Sequence, residues 1–385
     1  MLSLKGAVPA TRFFRQMHAG MKIPVRAPFM PPGIMNSLEK TIYSGWIGEG
    51  PKAVEFENLL KTYIANKNIA STNSCTSALH LSLHLLNLKK GDEIISTPMT
   101  CAAANVTIKH FPAKLVWADI NPVTGNISPE SIEEKITENT KALCIMHWGG
   151  YPCDLNHVSK IARKNSVFVV EDAAHALGSE YQSKKIGNHS DFVCFSFQAV
   201  KTITTGDGGA IAFKSKKMLK RAKKLRWFGI DREQKKPAWQ KQIFEAGYKF
   251  HMNDIAATLG IAQFRYLEPI LKRQRENSAY FFDELSNLDS VQLLENKKDR
   301  KSSCWLFTLL AANKARFMKK LGQKGIETSP IHTRNDTLAA LKDSYSSNLP
   351  GTDYFNKRHV CIPNGYWVSE KEREYIAKTI KKEFK

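Results

Sequence analysis

Between residues 92 and 213 the chain alternates short apolar runs with segments whose apolar residues recur every three or four positions. The runs are Asp92–Ser96, Ala113–Ala118, Ala142–His147, Ser166–Val170, Phe192–Phe197 and Gly209–Phe213. They are continuous rather than alternating, which predicts strands buried on both faces. Helical spacing falls between them, over Ser128–Ile136, which opens like a capped helix, and over Leu155–Lys164. This order predicts a mostly parallel sheet with helices on both sides. Upstream, Gly33–Ile42 and Pro51–Tyr63 carry helical spacing, the second with proline in its first turn, and Ala78–Leu88 is an apolar helix. Downstream come a basic helix over Lys214–Trp227 and a long helical segment over Met252–Arg275 that Pro269 kinks or divides. A further helix spans Asn277–Leu288. Ser303–Ala311 and Glu327–Ile331 read as strands around a helix at Lys314–Lys324, and Glu370–Lys382 is a terminal helix. We therefore expect an N-terminal extension over 1–22, a large α/β domain over 23–270 and a small α+β domain over 271–385.

A length of 385 residues exceeds one ordinary core, in keeping with two domains. No apolar run approaches the roughly 18 residues that suggest a membrane span. The seven cysteines are odd in number and form no CxxC pair, which favours reduced thiols in a cytoplasmic setting over a disulfide framework or a zinc site. The net charge of +21 comes from lysines spread over the whole chain. That pattern describes a solubilising surface and also favours a polyanionic substrate. No nucleic-acid-binding motif accompanies it.

Candidate chemistry concentrates in Val167–Phe213. One apolar run ends in Glu171-Asp172, the next in Ser196, and Lys201 follows before the glycine-rich TTGDGG turn. In an open α/β sheet the ligand crevice lies outside the carboxyl ends of the strands. A lysine there is a candidate Schiff-base former, and an aspartate a candidate partner for a pyridinium nitrogen. Upstream, the hydroxyl-rich Ser71–Ser77 opens the Ala78–Leu88 helix, where unpaired N–H groups make either an anion site or a simple N-cap.

Taken together, SGWIGEGPKAVEFE (Ser44–Glu57), NSCTSAL (Asn73–Leu79), VVEDAAHALG (Val169–Gly178), FSFQAVKTITTGDGGA (Phe195–Ala210), GYKFHMNDIAATLG (Gly247–Gly260) and SPIH (Ser329–His332) resemble the DegT/DnrJ/EryC1/StrS aminotransferases. The resemblance runs from Ile23 to the C-terminus. It implies the aspartate-aminotransferase-like fold, a fold type I arrangement with a seven-stranded sheet, and pyridoxal 5'-phosphate as cofactor, with pyridoxamine 5'-phosphate as its alternate form. It implies Lys201 as the Schiff-base lysine, Asp172 (rather than Glu171) as partner of the ring nitrogen and His175 beside the ring. Cys75, Thr76, Ser77 and Ser196 would take the phosphate, and His251 would reach the site of a neighbouring subunit in a homodimer. Candidate substrate contacts are Trp46, Trp148, Arg226, His332 and Arg334. The implied reaction is transamination of a nucleotide-linked keto-deoxysugar, most commonly a 4-keto-6-deoxyhexose, with L-glutamate as donor; a cyclitol or small phosphorylated ketone is the alternative acceptor. Outside this class stand a non-catalytic cofactor-binding regulator and a nucleic-acid-binding protein. Two positions depart from the usual pattern: Cys75 replaces a glycine, and TPMTCAAAN around Cys101 lacks an aromatic residue to cover the ring.

Overall fold

The computed structural model describes residues 23–344 and 348–384; the extension expected over 1–22 lies outside the described residues. In order, helices α1 (Ile34–Tyr43) and α2 (Pro51–Ile64) precede β1 (Ile69–Thr72) and α3 (Cys75–His84). Then come β2 (Glu93–Ser96), α4 (Ala102–Ile108), β3 (Lys114–Trp117), α5 (Pro129–Lys135), β4 (Thr140–Met146), α6 (Leu155–Asn165) and β5 (Phe168–Asp172). The two-residue strands β6 (Glu180–Tyr181) and β7 (Lys184–Lys185) lead to β8 (Phe192–Ser196), β9 (Gly209–Phe213) and α7 (Lys216–Leu225). The rest comprises α8 (Asp254–Phe264), α9 (Leu267–Leu285), β10 (Val291–Leu293), β11 (Arg300–Lys301), β12 (Phe307–Ala311), α10 (Lys314–Gln323), α11 (Pro350–Arg358), β13 (His359–Ile362) and α12 (Glu370–Glu383).

The main sheet has seven strands in the order β1-β9-β8-β5-β4-β2-β3. The pairs β3–β2, β2–β4, β4–β5 and β5–β8 are parallel, and β9 is antiparallel to both β8 and β1. Every strand but β9 therefore runs the same way, and the expected mostly parallel α/β fold is what forms. Successive residues feed opposite cores: Val169, Val193 and Phe195 join the layer containing Phe56, Leu60 and Leu271, whereas Val170, Cys194 and Ile211 join the layer containing Leu81 and Leu219. Basic α7 buries Leu219, Ala222 and Leu225 and turns its lysines outward. A smaller antiparallel sheet, β10-β12-β13, packs with α9, α10 and α12 around Phe281, Phe307, Leu309, Phe317 and Ile376.

Three local expectations need correction. The division expected at Pro269 falls earlier, between Phe264 and Leu267, and Pro269 sits in the first turn of α9, where a missing N–H leaves no bond unmade. The helix expected to start at Asn277 is the continuation of α9. Glu327–Ile331 is not a strand; its only pairing is an isolated bridge between Ser329 and Cys361. Ile23 bridges to Ile326 and is buried with the cluster of the smaller sheet, so the segment that begins the expected large domain is held by the C-terminal part of the chain.

Candidate active site

The carboxyl ends of β1, β5 and β8 open on one edge of the main sheet, and the antiparallel β9 starts there. Thr72 and Ser196 both pair with Gly209. Helix α3 begins directly above this point. Ser74 is its N-cap, accepting the Ser77 N–H at 3.0 Å, and the two hydroxyls lie 2.9 Å apart. The N–H groups of Cys75 and Thr76 have no acceptor among the described residues. A side chain at position 209 would place its Cβ 2.5 Å from the Ser74 carbonyl and 2.6 Å from the Cys75 nitrogen, so glycine lets the helix start descend onto the strand end. Thr76 is exposed at this start, while the Ser77 hydroxyl is occupied by the cap. Cys75 turns its thiol toward the Cys194 carbonyl, 3.8 Å away, and burial raises that thiol well above its ordinary pKa.

Asp172 is the last residue of β5, buried, and accepts one hydrogen bond, from Ala174 N–H at 3.0 Å. Burial raises its pKa; the Ala174 N–H and Lys201 act the other way. Glu171 points through the opposite face, where Oε2 lies 2.8 Å from His147 Nε2. Ser196, at the end of β8, accepts the Gln198 N–H at 3.3 Å. Lys201 follows on the β8–β9 connection, its Nζ 4.0 Å from the centre of the Trp305 ring. Burial lowers this amine to about 8 against the pull of Asp172. His175 stacks on the other ring neighbours, 4.0 Å from Trp305 and parallel to His332 at 5.5 Å. Burial and the Lys201 charge hold both imidazoles neutral, His332 down at about 3 and His175 well below its usual value. The nitrogens His175 Nδ1 and His332 Nε2 and the hydroxyl of Thr100 are buried without a partner.

The remaining candidates lie elsewhere. His251, Trp46 and Arg226 form a second group around Glu49. Arg226 is buried and donates to Glu57 and Glu49, each at 2.7 Å, and to the Ser71 carbonyl at 2.6 Å. Its cationic form is held by those carboxylates against the cost of burial. Arg226 is thus a buried ion-pair centre within its own chain. The His251 ring lies 3.9 Å from Trp227 with Nδ1 unpartnered, and Trp46 is exposed on the loop before α2. Trp148, expected at the substrate, is 1% exposed, packs on Phe355 and donates its indole N–H to Thr308 at 3.0 Å. Arg334 is taken up by Asp336 and Asp353. Only His332 of the five substrate candidates meets the lysine and aspartate group. The sequence carries no signal for Trp305 or Thr100 at this site. Trp305 lies in an apolar run where nothing local separates it from core, and its proximity to Lys201 arises from the packing of the two sheets.

Pyridoxal phosphate fits these residues. The crevice offers a partly neutral amine, a carboxylate with spare acceptor capacity, two open N–H groups at a helix start and buried polar atoms in want of partners. Comparison with known proteins agrees. The profile of the DegT/DnrJ/EryC1/StrS aminotransferase family matches residues 31–381. The uncharacterized protein MJ1066 of Methanocaldococcus jannaschii is 39% identical over 370 residues, covering 90% of this chain and 92% of that protein. The UDP-4-amino-4,6-dideoxy-N-acetyl-beta-L-altrosamine transaminase of Campylobacter jejuni subsp. jejuni is 30% identical over 355 residues, covering 90% and 93%. Among solved structures, the sugar aminotransferase CalS13 from Micromonospora echinospora superposes with a TM-score of 0.91 at 31% identity, covering 94% of this chain and 99% of that one. The putative sugar aminotransferase Spr1654 of Streptococcus pneumoniae, solved in its PLP-form, gives 0.88 at 27% identity, covering 94% and 98%.

Proposed function

Because the chain belongs to the DegT/DnrJ/EryC1/StrS aminotransferase family and is a pyridoxal-phosphate-dependent aminotransferase, we propose that it aminates a nucleotide-linked 4-keto-6-deoxyhexose with L-glutamate as donor. The likeness to a relative whose own name specifies a UDP-linked 4-amino-4,6-dideoxy sugar carries this reading. The net charge of +21 supports it, since a diphosphate-bearing substrate is drawn to a positive surface.

When bound, pyridoxal phosphate supplies the electron sink through which an amino group passes between two carbonyl carbons. In this reading Lys201 anchors the cofactor and, once its amine is free, carries a proton on Nζ. An amine that titrates at about 8 can take and return that proton near neutral pH. Asp172 would keep the ring nitrogen protonated. The Cys75 and Thr76 N–H groups, the Thr76 hydroxyl and Ser196 would hold the phosphate, with Ser77 acting through the N-cap. His175 would lie beside the ring, and His332 would present a neutral nitrogen to the substrate.

The second group, with His251 and Trp46, belongs in this reading to the crevice of a partner subunit. Exposed Ile42, Tyr43, Trp46, Ile47 and Val54 on α1, α2 and their connecting loop support a homodimer. We assign residues 23–270 to the cofactor-binding unit and 271–385 to the smaller one, in a cytoplasmic enzyme. Among the described residues no helix is long and apolar enough to cross a membrane. The test is a screen of nucleotide-linked keto-sugars against the glutamate-treated enzyme, following loss of the pyridoxamine absorbance. Turnover of a 4-keto-6-deoxy sugar nucleotide is expected. Turnover of cyclitol ketones alone would overturn the substrate reading.

A further inference from the structure

The Trp305 ring stands between the two parts of the chain. Its N–H donates to the carbonyl of Val200, the residue before Lys201, at 3.0 Å, while its face receives the Lys201 amine at 4.0 Å. The other contact, with His175, is a stack at 4.0 Å and 25°. The segment carrying it is pinned on both sides. Ser303 Oγ donates to the His175 carbonyl at 2.6 Å, Ser303 N–H to Ser179 Oγ at 2.9 Å, and Leu306 N–H to the Gly149 carbonyl at 3.2 Å. Trp305 itself is buried. One side chain therefore grips the lysine at the peptide before it and at its amine.

We propose that Trp305 is a positioning residue that holds the free amine of Lys201 over its ring face whenever the lysine is not joined to the cofactor. The inference rests on the reading of Lys201 as the anchoring lysine. A transaminase lysine is released in each half-reaction, and a long flexible side chain then costs rotamer entropy to recover. The indole face attracts the ammonium through its quadrupole and accepts an N–H from the neutral amine, so the amine is held in both protonation states. The other groups facing it are Asp172 on β5, His175 after it, Cys75 at the start of α3, Cys101 before α4, Arg26 and His332. Of these, Asp172, Cys75 and Cys101 favour the charged amine, and burial opposes it.

The test follows capture of pyridoxal phosphate by the cofactor-free protein, read as growth of the visible absorbance of the lysine-bound form across pH. W305L removes the ring and keeps an apolar side chain. Its plateau rate, reached where the amine is neutral, should fall on the order of 10-fold. Its pH midpoint should move down by about half a unit to one unit, because the ammonium loses its aromatic partner. W305F, a weaker cation acceptor, should shift the same way by less, and it carries the test if W305L does not fold. Midpoints and plateau rates equal to wild type in the folded variants overturn the proposal, leaving Trp305 as packing. A K201A protein that still develops the same absorbance overturns the lysine reading itself, and the inference with it.

Discussion

Glu171 and Asp172 are neighbours on β5 and serve opposite faces of the sheet: Glu171 Oε2 meets His147 Nε2 at 2.8 Å in the interior, while Asp172 faces the crevice with Lys201. His147 Nδ1 accepts the Cys153 N–H at 3.1 Å, which leaves Nε2 as the donor to Glu171. The two acids should therefore fail differently. D172N should cut kcat/KM by about 10²–10³-fold with the fold intact. E171Q should leave the folded enzyme active and lower its stability by about 1–2 kcal/mol. Steady-state kinetics beside urea unfolding separates them; equal kinetic losses would place both acids in the chemistry.

Lys201 gives a pH signature in the cofactor-free protein. Its folded pKa of about 8 lies below the ordinary lysine value of 10.5, so between those values the unfolded chain binds more protons than the folded one. Stability then rises with pH across that window: the cost of the buried charge is in full force below about 8 and gone above about 10.5. K201M lacks this contribution. Urea unfolding of both proteins through the window should show K201M more stable at the acid end and the difference closing toward the alkaline end. A constant difference would refute the depressed amine.

Gly209 should not tolerate a side chain. G209A drives a methyl into the Ser74–Cys75 backbone at 2.5 Å and must lift the start of α3. Cofactor affinity is expected to drop at least ~10-fold, about 1.4 kcal/mol. Gly48, with nothing within 4 Å of an added Cβ, is the control, and G48A should bind as wild type. Titration of cofactor-free protein with pyridoxal phosphate reads both.

Arg226 should act through the fold. R226A takes the guanidinium from Glu57, which keeps Ser71 and Lys61, and from Glu49, which keeps Arg232; breaking a buried pair from one side costs about 3–5 kcal/mol, and these remaining partners set the loss at the low end. The KM of whatever protein remains folded should not change. A raised KM at unchanged stability would return Arg226 to the substrate site.

Subunit mixing tests the shared site. If Lys201 of one protomer works with His251 of the other, K201A and H251A are each poor enzymes, yet a mixed dimer contains one intact site. Random mixing of equal amounts should recover about a quarter of wild-type activity. Recovery no greater than the sum of the separate variants argues for sites built within one chain.

The sheet was legible because its strands are continuous apolar runs ending in chemistry-bearing residues, and those ends bring Asp172, Ser196 and Lys201 together in the folded chain. What the sequence could not disclose depends on where side chains go after the elements pack. Arg226 and Trp148 stand beside recognisable motifs, and both are absorbed by partners distant in sequence, Glu57 and Thr308. The strand β1 is short and merges into the hydroxyl cluster after it, so periodicity had too few positions to mark it. Trp305 reaches Lys201 across more than a hundred positions, which no spacing rule registers.

The reversed direction of β9 has a kinetic meaning. An antiparallel neighbour can be joined by a short hairpin, whereas another parallel strand would require a full crossover. The loop bearing Lys201 is therefore clamped at both ends by ladder bonds, with Ser196 paired to Gly209 across its mouth. The connection runs over twelve residues, 197–208, and lengthening such a loop is thermodynamically mild, about 0.6 kcal/mol per doubling. In the proposed reading the closed mouth confines the Lys201 amine to the strand ends and so raises its local concentration toward the cofactor carbonyl it would meet.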